Sequence, residues 1–369
     1  MANLKNIAVF MHDFRGGGAE RVSVRLCNGL VERKEVNVTI FVINAAGPML
    51  QELCDEVKVI ELSSKRMAFS FWELSKKIRG FQPDLVISHM THANVTACLA
   101  AIMGRFADKL IIVEHNQMKH NFQMVDKLTV KIAYQLTKWF YNIPKRIIAV
   151  SSGVKKSIVE FAGVDAGKVS VIYNPVVSDE LKKYIPVKGV DLHNFYTLDV
   201  PVFIGVGSLT KQKNFPLFLR ALKCVNQTIN VKAIILGEGP ERESLEEMVR
   251  GLELEGVVDL PGFVTTPYDY IANADTFVLS SSWEGLPTVI IEAIALNTNV
   301  VSTNCPSGPD EILNSGEFGA LVDMDDETSL AEAMIDSLSK RKYELAKRAA
   351  DFSVDKSVND YYMLISGGK

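Results

Sequence analysis

The chain has little of what marks a metal-built, disulfide-bonded or membrane-spanning protein. Its five cysteines, Cys27, Cys54, Cys98, Cys224 and Cys305, are scattered and odd in number, with no C-x-x-C pair. That spacing indicates neither a zinc site nor a disulfide framework. A reducing cytosol is the expected compartment. No apolar run approaches the ~20 residues needed to span a bilayer, so any membrane contact is expected to be peripheral. Met1–Lys5 run directly into a β-rich segment and do not read as a signal peptide. No low-complexity segment or short repeat interrupts the 369 residues, a length that suits two domains.

The chain is 47% hydrophobic and 23% charged, ordinary for a globular protein. The net charge of −4 hides an asymmetry. Residues 1–180 carry 23 Lys and Arg against 17 Asp and Glu, and the remainder 17 against 27. The first half is therefore the half expected to meet an anionic partner. By charge alone a membrane surface and a nucleic acid both qualify.

Short β-rich runs alternate with helical patterns, which predicts parallel α/β structure. In the first half the predicted strands are Asn6–Met11, Val36–Ile43, Val57–Glu61, Asp84–Ser88, Leu110–Glu114, Arg146–Ser151 and Val169–Tyr173. Leu110-Ile111-Ile112-Val113 is apolar throughout, as a strand covered on both faces should be. Val176–Leu198 has no clear periodicity and reads as the crossing between domains. A second series follows: Val200–Val206, Val231–Leu236, Val257–Leu260, Thr276–Leu279, Val300–Thr303 and Ala320–Val322, then a helical stretch from Thr328 to about Ile365. The expected division is 1–180, 181–350 and a helical tail, 351–369, packing back on the first domain. Two such domains leave a cleft between them, where ligands commonly bind.

Candidate sites fall at strand ends. After the first strand comes His12-Asp13-Phe14-Arg15-Gly16-Gly17-Gly18-Ala19-Glu20-Arg21, a turn whose glycines let backbone approach a phosphate. It is not the dinucleotide fingerprint, because Arg21 stands in place of the third glycine. The second strand runs into Asn44 and not a ribose-holding acid, so a nicotinamide oxidoreductase is disfavoured. A bare turn and a ligand site remain equal readings of this motif alone. His115 ends the fifth strand, in Glu114-His115-Asn116, and His89 and His92 sit at the end of the fourth. No carboxylate or cysteine is suitably spaced around His89 and His92 for a metal.

The second domain opens with Gly205-Val206-Gly207-Ser208-Leu209-Thr210-Lys211-Gln212-Lys213, whose lysines suit a diphosphate. Gly237-Glu238-Gly239-Pro240-Glu241 reads first as helix-start chemistry. Ser281-Ser282-Trp283-Glu284-Gly285-Leu286-Pro287-Thr288 leads into an apolar helix containing Glu292, with Pro287 expected in its first turn. Carboxylates at both ends of such a turn could grip hydroxyls on either side of a diphosphate held at the helix N-terminus. Finally, Met124–Arg146 sets Lys127, Lys131, Lys138, Lys145 and Arg146 beside Leu128, Ile132, Tyr134, Leu136, Trp139, Phe140 and Tyr141. That pattern fits a basic amphipathic surface for anionic lipid as well as an ordinary domain helix with a solvated lysine face.

In this order the motifs resemble the retaining glycosyltransferases of family 4, over nearly the whole chain. The resemblance rests on Gly17–Arg21, Ile148–Val154, Val171–Val176, Gly207–Lys213, Gly237–Pro240, Pro261–Val264 and, most specifically, Glu284–Pro287 with Glu292. It implies a GT-B fold, two Rossmann-like parallel-sheet domains facing a cleft. It also implies roles. Glu284 would hold hydroxyls of the donor sugar and Glu292 the ribose. Backbone N–H groups at Leu286–Thr288, around Pro287, and at Gly17–Gly18 would hold the diphosphate. Lys213 would neutralise the leaving nucleoside diphosphate, Val264 would meet the base, and His115 would sit by the reacting sugar. The family usually has arginine where this chain has Ser208, which implies either that Lys213 carries most of the phosphate charge or that Lys211 swings in.

The implied substrates are a nucleoside-diphosphate sugar, most commonly a UDP-sugar, and a glycan or lipid-linked glycan acceptor in cell-surface polysaccharide synthesis. The expected location is cytoplasmic, at the cytosolic face of the membrane. No metal, other cofactor or nucleic-acid partner is expected. Competing readings are a sugar-nucleotide epimerase of GT-B fold and a non-catalytic nucleotide- or glycan-binding protein.

Overall fold

The computed structural model describes residues 4–125, 127–187, 200–339 and 344–366. The chain divides into two compact units, Met1–Val176 with Ser353–Lys369, and Val177–Phe352. Much of the expected crossing at Val176–Leu198 lies outside the described residues; within its described part, Asp179–Lys182 form a single helical turn.

Among the described residues the first unit holds seven strands: β1 (Lys5–Met11), β2 (Val36–Val42), β3 (Lys58–Glu61), β4 (Leu85–His89), β5 (Leu110–Glu114), β6 (Arg146–Ala149) and β7 (Val169–Val171). They form one parallel sheet in the order β3-β2-β1-β4-β5-β6-β7. The second unit holds β8 (Val202–Val206), β9 (Lys232–Leu236), β10 (Val258–Gly262), β11 (Thr276–Leu279), β12 (Asn299–Thr303) and β13 (Ala320–Val322), ordered β10-β9-β8-β11-β12-β13 and also parallel. All thirteen strands lie where the apolar runs predict them, within two residues at each end. Ile7, Ala8, Val9 and Phe10 of β1 are wholly buried, as a central strand covered on both faces requires.

Each sheet is doubly wound. The chain builds outward from β1 through β3, then returns to the other side of β1 with β4; β8 and β11 repeat this. Ligands in such sheets bind outside the carboxyl ends of the strands at the point of reversal. In the first unit that point follows β1 and β4. In the second it follows β8 and β11.

Helices cover the sheets. They include α1 (Gly18–Glu32), α2 (Thr91–Gly104), α3 (Leu128–Phe140), α4 (Arg242–Gly251), α5 (Thr288–Ala295) and α6 (Val354–Ser366). α6 belongs to the first unit and packs on α1. Val358 occupies the space over Gly29, where any side chain would collide with it, and Ser357 Oγ donates to Tyr173 O at 2.8 Å. The Arg33 guanidinium lies 4.4 Å from the Tyr362 ring centroid.

Two local expectations need correction. Pro287 is not in the first helical turn: its ψ of 98° is extended, and it caps α5, which begins at Thr288. Met124–Arg146 is not one amphipathic element. A helix ends at Met124, α3 begins at Leu128, and Arg146 is already the first residue of β6. The stretch from Thr328 to about Ile365 is largely helical where it is described, as Glu327–Ser339, Leu345–Ala349 and α6.

Candidate active site

In the second unit, backbone bonds sew the ends of β8, β9 and β10 together. Gly207 N–H donates to Leu236 O, Gly237 N–H to Gly262 O at 2.8 Å, and Leu209 N–H to Glu238 O at 3.0 Å. Gly237, at φ +147°, packs on the Gly207 carbonyl so closely that no side chain fits there. Gly207 is constrained differently, because the aliphatic stem of Lys213 crosses it. An added Cβ would lie 2.9 Å from Lys213 Cε.

That crossing aims the ammonium at β11. Lys213 Nζ lies 2.5 Å from Glu284 Oε1, and Ser281 Oγ donates to the same oxygen at 2.7 Å. Gln212 Nε2 donates to Trp283 O at 3.0 Å and reaches Glu284 Oε2 at 3.5 Å. Lys213 comes from the segment after β8 and Glu284 from the turn after β11, so the pair stands at the switch point of the sheet. Leu286, Pro287 and Thr288 follow and open the N-terminus of α5. Glu292 lies one helical turn beyond Thr288, on the same face, and is buried. Ser208 is exposed at the end of β8, and Val264 is half-buried just past β10. Arg242 bridges Glu238 and Glu246 and donates to Leu260 O at 2.7 Å, bracing β10 against α4.

In the first unit, Gly17 caps α1 and Gly18 is its first residue. The Glu20 side chain folds back over Gly17 in place of a side chain there. Burial, with Asp13 nearby, pushes the Glu20 carboxyl up from its ordinary value. Asp13 is itself buried; that burial acts to raise its pKa, but hydrogen bonds from His12 at 2.6 Å and from Arg15 outweigh it and hold the carboxyl low. His115 follows β5 and is buried, which pushes its imidazole down to about 4. It meets His89 at the end of β4, with Nδ1 of His89 3.0 Å from Nε2 of His115. Glu114, pushed up to about 7 by burial, turns instead to Tyr141 OH (2.5 Å) and Thr91 Oγ1 (2.9 Å). His92 stacks edge-on to His12 at 5.9 Å and is pushed down to about 4 by burial. Among the described residues, no group of three or more His, Cys, Asp or Glu could hold a metal ion.

Comparison with known proteins decides the family. The pattern for glycosyl transferases group 1 matches residues 195–353, and that for Glycosyltransferase Family 4 matches residues 16–180. The lipopolysaccharide core biosynthesis glycosyltransferase LpsE of Rhizobium meliloti is 31% identical, over 97% of this chain and 98% of its own. The chain belongs to the family 4 glycosyltransferases. A second relative of this glycosyltransferase comes from Campylobacter jejuni: N-acetylgalactosamine-N,N'-diacetylbacillosaminyl-diphospho-undecaprenol 4-alpha-N-acetylgalactosaminyltransferase, 27% identical over 93% of each chain. Among solved structures, Anabaena HepE in complex with UDP has the same fold, with a TM-score of 0.77 over 99% of this chain and 100% of that one, at 20% identity. The fold is GT-B.

Within this glycosyltransferase the structure adds residues that sequence reasoning missed. Ser281 and Gln212 hold Glu284, and both lie in the turns that follow β11 and β8. The loop Cys305–Gly308 braces the Glu284 turn: Glu284 N–H donates to Pro306 O at 3.1 Å, and Ser307 Oγ donates to Gly285 O at 2.8 Å. Ser307 and Gly308 have φ of +73° and +100°. The signal available was Cys305-Pro306-Ser307-Gly308-Pro309, a run dense in turn residues.

Proposed function

We propose that this glycosyltransferase moves a hexose or N-acetylhexosamine from a UDP-sugar, with retention, to a hydroxyl of a lipid-linked or surface glycan. The observation that carries the reading is the Lys213–Glu284 pair poised before the N-terminus of α5. A departing diphosphate needs positive charge and N–H donors fixed in place beforehand. Lys213 supplies the charge, and the N–H groups of Leu286 and Thr288 supply donors. Glu284 takes hydroxyls of the sugar, Glu292 those of the ribose, and the backbone at Val264 meets the base. His115 stands by the reacting sugar. Double displacement would need a carboxylate against the anomeric carbon, and none is assigned; a donor phosphate oxygen takes the acceptor's proton in a front-side attack. On this reading lysine and helix N-terminus do the work of a metal ion.

Support for the acceptor comes from the relatives, named for lipopolysaccharide core synthesis and for transfer onto a diphospho-undecaprenol-linked sugar. Support for a membrane-side location comes from α3. Leu128, Ile132 and Trp139, spaced four and seven apart on one stripe, are 71%, 49% and 69% exposed, beside Lys127, Lys131 and Lys138. Among the described residues no helix is long and apolar enough to cross a membrane, so the contact is a docked one.

The test is a thermal-shift screen of sugar nucleotides, since stabilisation grows with ligand concentration over its dissociation constant. An assay of the selected donor with and without a lipid-linked glycan follows. Nucleotide release that requires the acceptor is expected; conversion of the donor alone would make the protein an epimerase. Flotation with anionic and neutral liposomes tests docking, and absence of binding to anionic vesicles at low salt would remove it.

A further inference from the structure

The ends of β4 and β5 hold a buried pair of histidines of which the reading above uses only one. The His89 and His115 rings lie nearly parallel, 27° apart with centroids at 5.3 Å, and meet edge to edge at 3.0 Å. His89 is 2% exposed, and its second nitrogen, Nε2, has no hydrogen-bond partner among the described residues. A buried polar atom left in this way needs a reason.

The backbone that delivers His89 is strained. Met90, the next residue, has φ +78° and ψ +141°, a conformation L-residues with a Cβ avoid and that persists only where surrounding contacts impose it. Those contacts are visible. Met90 N–H donates to Val113 O at 3.2 Å, and Asn94 Nδ2 donates to the same carbonyl at 2.9 Å. Thr91, just after the strained residue, reaches Glu114; His89, just before it, reaches His115. The turn thus grips two consecutive residues at the end of β5 from its two sides.

We propose that His89 is a positioning residue: its Nδ1–H donates to Nε2 of His115 and fixes His115 as the Nδ1–H tautomer, which offers the transferred sugar a neutral N–H donor. This rests on the reading of His115 as the residue beside the reacting sugar.

Both rings are neutral, since burial pushes His115 down to about 4 and His89 well below its ordinary value. One hydrogen therefore lies between the two facing nitrogens, in one of two arrangements. If His115 donated, the hydrogen of His89 would sit on Nε2 as a buried N–H with no acceptor. If His89 donates, Nε2 carries only a lone pair. Orphaned buried N–H groups are the rarer of the two in folded proteins, so His89 donates. Two carboxylates near the ends of β1 and β5 are engaged elsewhere. Glu114 is turned to Thr91 and Tyr141, while Asp13 is engaged by His12 and Arg15.

The test has a spectroscopic and a kinetic arm. Nitrogen-15 correlation spectra of the full chain with labelled histidine report each ring's tautomer at neutral pH. The signal lost in His115→Gln is expected to be an Nδ1–H tautomer; an Nε2–H tautomer or an imidazolium overturns the proposal. In the kinetic arm, His89→Leu should lower kcat by roughly tenfold to a hundredfold through loss of orientation, with donor KM within about twofold of the unaltered chain. His89→Asn, whose Nδ2 donates from the place of Nδ1, should restore most of the rate. Wild-type turnover in His89→Leu, or equal loss in both variants, overturns the proposal. His115→Ala keeps the two readings apart. Near-normal turnover there removes His115 from the site, whereas a slow His115→Ala beside a fast His89→Leu removes only the positioning role. The spectrum of the unaltered chain decides the tautomer even where His89→Leu does not fold.

Discussion

Lys213 Nζ and Glu284 Oε1 meet at 2.5 Å across 71 positions of chain, with their side chains 16% and 7% exposed. Each group holds the other in place while the site is free of ligand, and each has a separate partner waiting in the proposed reaction. Glu284→Ala is expected to cut kcat/KM by about a hundredfold or more, the cost of losing one preorganised polar contact in a shielded site. Circular dichroism should show the fold retained. Glu292→Ala should instead raise the donor KM with a smaller effect on kcat. Near-normal turnover in Glu284→Ala would remove that residue from the site.

Gly207 separates geometry from charge. A methyl group there meets the stem of Lys213 and leaves the Glu284 turn untouched. Because a lysine stem can swing aside cheaply, Gly207→Ala should change the melting temperature little. The ammonium, however, leaves its place on Glu284. Transfer should therefore fall by about tenfold or more while stability holds, consistent with the sensitivity of such sites to a displacement of about an ångström. A large drop in melting temperature with proportionate activity loss would assign Gly207 to packing alone.

These two cases show what was legible in the sequence. Lys213 and Glu284 were readable because each lies in a motif at the end of a strand, and the strands announce themselves by apolar runs such as Leu110-Ile111-Ile112-Val113. The His89–His115 contact was not, although both residues were noticed. It depends on the register that sets His89 opposite Val113 in a parallel pair, which no local pattern encodes. The brace from Cys305–Gly308 was missed because its contacts run largely through backbone carbonyls, at Pro306 and Gly285, which carry no residue-type signal. Pro287 was placed one position too deep because proline suits both the cap and the first turn by sterics.

Stability should depend on pH in two opposing ways. His92 and His115 titrate near 4 in the folded chain and near 6.5 when unfolded. Between those values the unfolded chain binds protons that the folded chain does not, so stability falls as pH falls through that window. Glu114 does the reverse. It holds a proton up to about 7 in the folded chain but only to about 4.5 when unfolded, so its contribution is lost as pH rises through that range. Urea denaturation at pH 6.5 and pH 5 should show His92→Gln losing less stability on acidification than the unaltered chain, by on the order of 1–2 kcal/mol. Glu114→Gln should steepen the same acid loss, and equal slopes in all three proteins would contradict the assigned burial.

Tyr141 tests the same carboxyl from its partner's side. Its hydroxyl donates to Glu114 Oε2 at 2.5 Å inside a fully buried network shared with Thr91 and Asn94. Tyr141→Phe removes one donor and adds no volume. A buried acceptor left short of a partner costs about 1–3 kcal/mol, and the melting temperature should fall accordingly. Because the residue follows α3 directly, proteolysis within Leu128–Phe140 should accelerate in step.

Ser208 stands where the family resemblance implies an arginine, and that expectation is testable in the direction of gain. The side chain is exposed at the end of β8, five positions before Lys213, and is not part of the packed core. Ser208→Arg should therefore leave the melting temperature of the ligand-free protein nearly unchanged. A guanidinium there adds a planar set of donors suited to phosphate oxygens. If Lys213 alone now meets the diphosphate, the added arginine should tighten UDP binding by about tenfold, equivalent to about 1.4 kcal/mol. Lys211→Ala in the unaltered chain should change UDP affinity little. Weaker binding in Lys211→Ala together with no gain in Ser208→Arg would mean that Lys211, exposed on the same turn, already takes the place of the missing arginine.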